Sequence, residues 1–169
     1  MADHTVETGS VSPVDALVID VRGERAPQGS KVALGRTKKG KTILKESSDK
    51  LPDWRHDVKV AAEKSMAEAG WERPLAGPVV VTMAFYFYRP KNQYRTGKFS
   101  HVLREDAPVR PDGSKNDLDK LVRAVFDALT GAGVWYDDGQ AVQQVADKCY
   151  TSPAREFHGA LITVAPYIE

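Results

Sequence analysis

The sequence predicts an α+β fold: one domain, a mixed β-sheet, and two main helices packed on it. Three observations lead there. Runs of β-branched and aromatic residues, bounded by Gly and Pro, recur along the chain and read as strands. Two stretches carry apolar residues at helical spacing, with helix punctuation at their ends. The 169 residues suit a single hydrophobic core, and no internal repeat divides them.

Taken in order, residues 1–13 are small and polar and predict a loose N-terminal tail, with the domain occupying 14–169. Val14–Val21 (VDALVIDV) predicts a strand, and Arg22–Ser30, with its Gly and Pro, a loop. KVAL, GRTKKGK and TILKE then read as the arms and tip of a hairpin. From Ser48 to Gly70 a helix is expected, because Trp54, Val58, Ala61, Ala62, Ser65 and Ala69 make one face. Pro52 lies near its start and Gly70 just past its end. Gly77–Arg89 (GPVVVTMAFYFYR) has almost no polar face and predicts a central strand covered on both sides. Residues 90–116 show no periodicity and predict a long functional loop. A second helix is expected over Asp117–Thr130, burying Leu118, Leu121, Val122, Val125 and Leu129. Strands over Ala141–Tyr150 and Phe157–Tyr167 close the order β–β–β–α–β–α–β–β.

Composition removes several classes. Lys+Arg number 24 and Asp+Glu 23, a net charge of +1, so any nucleic-acid contact must come from where the charges sit. The single cysteine, Cys149, excludes an internal disulfide and a cysteine-rich zinc site. The longest uncharged run, Pro74–Tyr88, is shorter than the ~18 residues of a membrane span. MADHTVETGSVSP has neither a basic start nor an apolar run, so no secretory signal is read and a cytoplasmic setting is expected.

Basic residues concentrate in two places. Lys31, Arg36, Lys38, Lys39 and Lys41 belong to the hairpin; Arg89, Lys91, Arg95 and Lys98 open the long loop, with Arg104 and Arg110 further on. These are candidate contacts to a DNA backbone, with Tyr94 and Phe99 available to stack on bases. Trp54 and Trp71 are expected in the core. GRTKKGKT satisfies the pattern of a phosphate-binding loop, but that loop needs a helix directly after it, and TILKE reads as a strand. No nucleotide cofactor is therefore expected. His4, His56, His101 and His158 form no metal-spaced pair.

Carboxylates gather between residues 110 and 140. Asp117 and Asp119, two apart, can turn to one point only where an extended chain enters a helix, and the exposed N–H groups there favour ionised carboxylates. Asp119, Arg123 and Asp127 make a polar stripe. Asp137 and Asp138 lie in a turn beyond the helix and are expected to meet the first pair across it. Taken singly, such residues are often caps and turns. Five carboxylates between positions 117 and 138 would repel one another without a cation, and an all-oxygen set suits Mg²⁺ or Mn²⁺. The spacing excludes an EF-hand.

The stretch NDLDKLVRAVFDALTGAGVWYDDGQAV resembles the core motif of RusA-type Holliday junction resolvases: an Asp-x-Asp pair, a basic residue, Asp-Ala-Leu, Gly, then Asp-Asp before a small residue and Gln. APQGSK (26–31), Trp54-Arg55 and Tyr88-Arg89-Pro90 extend the likeness across most of 15–168. The resemblance implies that Asp117, Asp119 and Asp138 are metal-binding catalytic acids, with Asp137 and Asp127 in support. It implies a RusA-like fold and a Mg²⁺-dependent endodeoxyribonuclease cutting four-way DNA junctions by paired symmetric nicks. Two such nicks call for a homodimer. Lys120 stands where the family has Asn, and Arg123 where it commonly has Lys. Both are candidates to stabilise the transition state. Asp112 competes with Asp117 for the first acidic position. Two other readings stay open: a non-catalytic branched-DNA-binding protein of the same fold, and a metal-dependent hydrolase of small nucleotides.

Overall fold

The computed structural model describes residues 16–29, 31–37, 39–46, 49–72, 74–113 and 116–168, with the side chains of 31–34 and 43–46 left out. The expected tail, Val14, Asp15, His4 and Lys38 lie outside the described residues, as does the side chain of Lys31. Six strands and two α-helices are described: β1 (Leu17–Arg22), β2 (Lys31–Arg36), β3 (Thr42–Glu46), α1 (Leu51–Glu68), β4 (Val79–Phe87), α2 (Leu118–Ala132), β5 (Ala141–Tyr150) and β6 (Gly159–Pro166).

The main sheet has four strands in the order β1-β6-β4-β5. β4 and β5 are parallel and the other pairs antiparallel, so the sheet is mixed, as expected. The hairpin of β2 and β3 stands apart as its own two-stranded ribbon, with an irregularity between Ala33 and Gly35. A strand therefore follows the GRTKKGKT segment, not a helix.

Alternation places the core. Leu17, Ile19 and Val21 of β1, Val81, Met83 and Phe85 of β4, and Ala160, Ile162 and Val164 of β6 are buried and lie in register across the sheet. Onto this face α1 packs Leu51, Trp54, Val58 and Ala62, and α2 packs Leu121, Val125 and Leu129. β4 is central, but its other face is not covered as expected: Thr82 is exposed and Val80, Ala84 and Tyr86 are half-buried. Both helices sit on one side, and on the other the Arg155 guanidinium lies over the Tyr86 ring at 4.4 Å. An apolar run in a middle strand therefore does not require two covering layers here.

The described part of the expected structureless loop, 90–113 and 116, is ordered. 3₁₀ turns form at Lys91–Gln93 and Gly97–Phe99, and Tyr94 bridges to Leu103. Arg95–Glu105 and Arg104–Asp106 ion pairs tie the segment to itself, so part of its positive charge is neutralised locally. No helix among the described residues is long and apolar enough to cross a membrane.

Gly159 begins β6 opposite Arg22 with φ +142, and a Cβ there would stand 1.9 Å from the Val21 carbonyl oxygen. Gly159→Ala is expected to cost at least about 2 kcal/mol of folding stability, through backbone strain and overpacking. Urea denaturation checks it; an unchanged midpoint would show that this close approach is not required.

Candidate functional site

α2 begins where the chain turns from extended to helical. Asp117 is the N-cap residue, at φ −58 and ψ 130, and Asp119 lies in the first turn. The Asp117 side chain does not cap the helix. Its Oδ2 accepts a hydrogen bond from Lys120 Nζ at 2.6 Å. That bond and the Asp117 charge hold the Lys120 ammonium above its ordinary pKa, with Asp119 adding and Arg123 opposing. The four groups thus share one patch at the start of α2.

The segment after β1 is laid against this patch. Gln28 donates its backbone N–H to the Lys120 carbonyl at 3.0 Å. Nearby, the Arg25 guanidinium stacks on Phe87, 3.5 Å from the ring centre. Burial pushes its pKa down to about 10, against the raising effect of Glu24. Arg25 Nε and Nη1 and Gln28 Oε1 are buried without a hydrogen-bond partner. Unpaired donors on a buried cation are costly unless an acceptor arrives, and a phosphate oxygen is such an acceptor.

Arg25 is one of four stacked arginines. Arg22 lies over Phe157 at 4.4 Å, Arg89 over Tyr150 at 3.9 Å and Arg155 over Tyr86 at 4.4 Å. The registers Tyr86↔Gly159 and Arg22↔Gly159 put the ends of β1, β4 and β6 together, and β5 runs parallel to β4, so all four stacks crowd one end of the sheet. Stacking spends the guanidinium face and leaves its edge for hydrogen bonds. Of these four, sequence reading singled out only Arg89. Its Nη1 is committed to Gln93 Oε1 and the Pro108 carbonyl, both at 2.9 Å, so it braces the loop. No local signal marked the others: the first aromatic residue of the chain is Trp54, and the rings under Arg22, Arg25 and Arg155 are Phe157, Phe87 and Tyr86, all distant in sequence.

The second acidic pair sits elsewhere. α2 runs 15 residues, about 22 Å at the helical rise, before Gly133 ends it at φ 76. The chain then passes the buried Trp135 to Asp137 and Asp138, just ahead of β5. As the crossover between parallel strands, α2 has its start at one end of the sheet and its finish at the other. One protomer therefore does not bring Asp137 and Asp138 to Asp117 and Asp119. Among the described residues no three His, Cys, Asp or Glu side chains gather as a metal-holding group. Asp137 Oδ1 accepts from the Gly139 N–H at 2.8 Å and caps the turn. Asp138 is exposed. Asp127 pairs with Arg55 and links the two helices. Arg123 and Asp112 are exposed, as are Arg36, Lys39 and Lys41 on the hairpin and Lys91, Arg95 and Lys98 in the loop. Lys98 leans over Phe99 at 5.0 Å.

Residues 26–156 match the family described as endodeoxyribonuclease RusA. The chain belongs to the RusA family. It is 59% identical over 32 residues to the crossover junction endodeoxyribonuclease RusA of Escherichia coli (strain K12), a stretch covering 19% of this chain and 27% of that protein. The proteins of that name from Shigella sonnei (strain Ss046) and Enterobacteria phage 82 match to the same extent. The matched stretch thus spans about a quarter of the length of these relatives.

Within this RusA-family chain, Gln140 holds the second acidic turn. Its Oε1 accepts from the N–H groups of Tyr136 and Asp137 at 2.8 and 3.1 Å, and its Nε2 donates to the carbonyls of Leu75 and Gly77 at 2.9 and 2.7 Å. In sequence it was only the Gln after Asp-Asp; the structure shows it clamping that turn to the residues before β4. Gln140→Ala is expected to cost about 1–3 kcal/mol and to speed amide exchange at Tyr136 and Asp137. Hydrogen exchange with denaturant titration reads both.

Proposed function

We propose that this protein is a divalent-metal-dependent endodeoxyribonuclease that resolves four-way DNA junctions as a homodimer. The observation that carries the reading is the α2 start: two carboxylates beside Lys120 and Arg123, in a family of endodeoxyribonucleases. Carboxylates alone repel DNA. Carboxylates ringed by cations describe a place where a metal and a phosphate can sit together.

Asp117 and Asp119 supply an all-oxygen donor set that fits Mg²⁺ or Mn²⁺ but is incomplete in one protomer. Bound Mg²⁺ would activate a water and neutralise charge on the leaving oxygen. Arg123 and Lys120 would stabilise charge developing on the phosphoryl oxygens. Arg25 would hold the neighbouring phosphate, and the exposed hairpin cations the backbone further out. Affinity would then fall steeply with salt.

Symmetry suggests the missing ligand. β5 is an edge strand with Val142 and Val145 exposed. Its far end approaches the α2 start, where Lys148 Nζ donates to the Asn116 carbonyl at 3.5 Å. Antiparallel pairing of β5 with its copy about a two-fold axis would exchange the strand's ends. That carries Asp138 of the partner subunit towards Asp117 and Asp119, and gives two sites for two nicks.

A non-catalytic DNA-binding role is the second reading, and the Lys120–Asp117 pair favours it, since an ammonium already occupies a carboxylate that a metal would need.

Mixing tests the shared site. Asp119→Asn and Asp138→Asn are each expected to abolish Mg²⁺-dependent nicking of a synthetic junction while still binding it. In their equimolar mixture half the dimers are mixed, each with one intact site, so about a quarter of the wild-type site concentration should return as single-strand nicking. No recovery places all three acids within one chain; normal nicking by Asp119→Asn alone sinks the metal-site assignment. Lys120→Asn should lower the Mn²⁺ concentration needed for half-saturation, read by paramagnetic resonance without DNA. An unchanged binding curve removes Lys120 as a competitor.

A further inference from the structure

A cleft of about 440 Å³ opens beside the α2 start, walled by Phe87, Tyr88, Tyr150, Pro90 and Pro111. That size is within the range of small-molecule sites, about 300–1,000 Å³. Resting on the nuclease reading above, we propose that this cleft receives one unstacked nucleobase of the bound junction, next to the phosphate held at Asp117 and Asp119.

Three observations carry this. The first is wall chemistry. Tyr150 and the two prolines offer flat faces to a base, while Phe87 already carries Arg25 and Tyr88 already stacks on His158 at 4.5 Å. The rim adds Asn92, Asp112, Asn116 and Lys148, which offer both donors and acceptors to the edge of a base. The second is preorganisation. Gln93 Nε2 donates to the Tyr150 hydroxyl at 2.9 Å, Arg89 donates to Gln93 Oε1, and the Arg89 plane backs the Tyr150 ring. The wall is braced from behind and need not be ordered by its ligand. The third is position. Asn116 lines the cleft and Asp117 follows it in the chain, so a strand with its phosphate at Asp117 has its adjoining nucleotide at the mouth. Unpaired or mismatched bases are the least costly to unstack, and a branch point interrupts the stack of the duplex.

Gly113 also lines the cleft, and a Cβ there would meet nothing within 4 Å. Gly113→Phe adds a ring at the cleft lining where a Cβ meets no neighbour, and circular dichroism checks that the fold is kept. The experiment measures binding of four-way junctions carrying one abasic residue, moved stepwise through the nucleotides around the branch, in Ca²⁺ without Mg²⁺. For the wild type, one position is expected to weaken binding about tenfold. Gly113→Phe should bind intact and abasic junctions alike, at the weaker level. A wild type indifferent to every abasic position overturns the proposal alone, as does a variant that keeps the full penalty. A wild type that binds no junction in preference to linear duplex overturns the nuclease reading, and the proposal with it.

Discussion

The crossover of α2 between two parallel strands is the constraint on which the site depends. A parallel pair cannot be joined by a tight turn, so the chain must travel the height of the sheet and back. α2 makes that journey between β4 and β5, anchored by Leu121, Val125 and Leu129 in the core. Its first turn is thereby fixed at the end where β1 and β4 finish, and its last turn at the opposite end. The acidic pairs at its two ends are kept apart by the same packing that stabilises the fold.

Electrostatics at the start of α2 follow from that placement. The helix N-terminus favours carboxylates, but Asp117 gives its charge to Lys120 and leaves the helix cap unused. Because the pair is exposed, it contributes little to folding. Its weight lies in local charge balance: two acids and two cations on neighbouring turns hold the patch near neutrality until a ligand arrives. The near-zero charge of the whole chain thus coexists with four stacked arginines at one end of the sheet.

Much of this architecture was legible in sequence, and the reason is locality. β5 was read at its observed bounds and α2 to within two residues at its C-terminal end, because alternation and helical spacing are set by neighbours along the chain. Asp117 and Asp119 were found at the helix start for the same reason. The misreadings concern distance. A spacing of residues does not say whether Asp138 returns to Asp117 or ends a helix length away. The outer face of β4 was read as covered because Val80, Ala84 and Tyr86 are apolar or aromatic, and one arginine does part of that covering. Arg25 on Phe87 and the internal ion pairs of the long loop join residues that no local pattern connects.

The stacked arginines explain how one end of the sheet can be basic and ordered at once. A free arginine loses side-chain freedom when it binds a phosphate, which offsets part of the attraction. Arg22 and Arg25 have already lost much of it against the rings of Phe157 and Phe87, whereas Arg155 Nη2 is committed to Asp20 Oδ1 at 2.6 Å and to the Ala160 carbonyl at 3.3 Å. The cost is met during folding, where burial of the ring and the arginine stem repays it. What remains at binding is the exchange of water and counterions for phosphate oxygens. A surface built this way recognises a fixed arrangement of phosphates better than it recognises charge in general, because its donors cannot follow a strand that lies elsewhere.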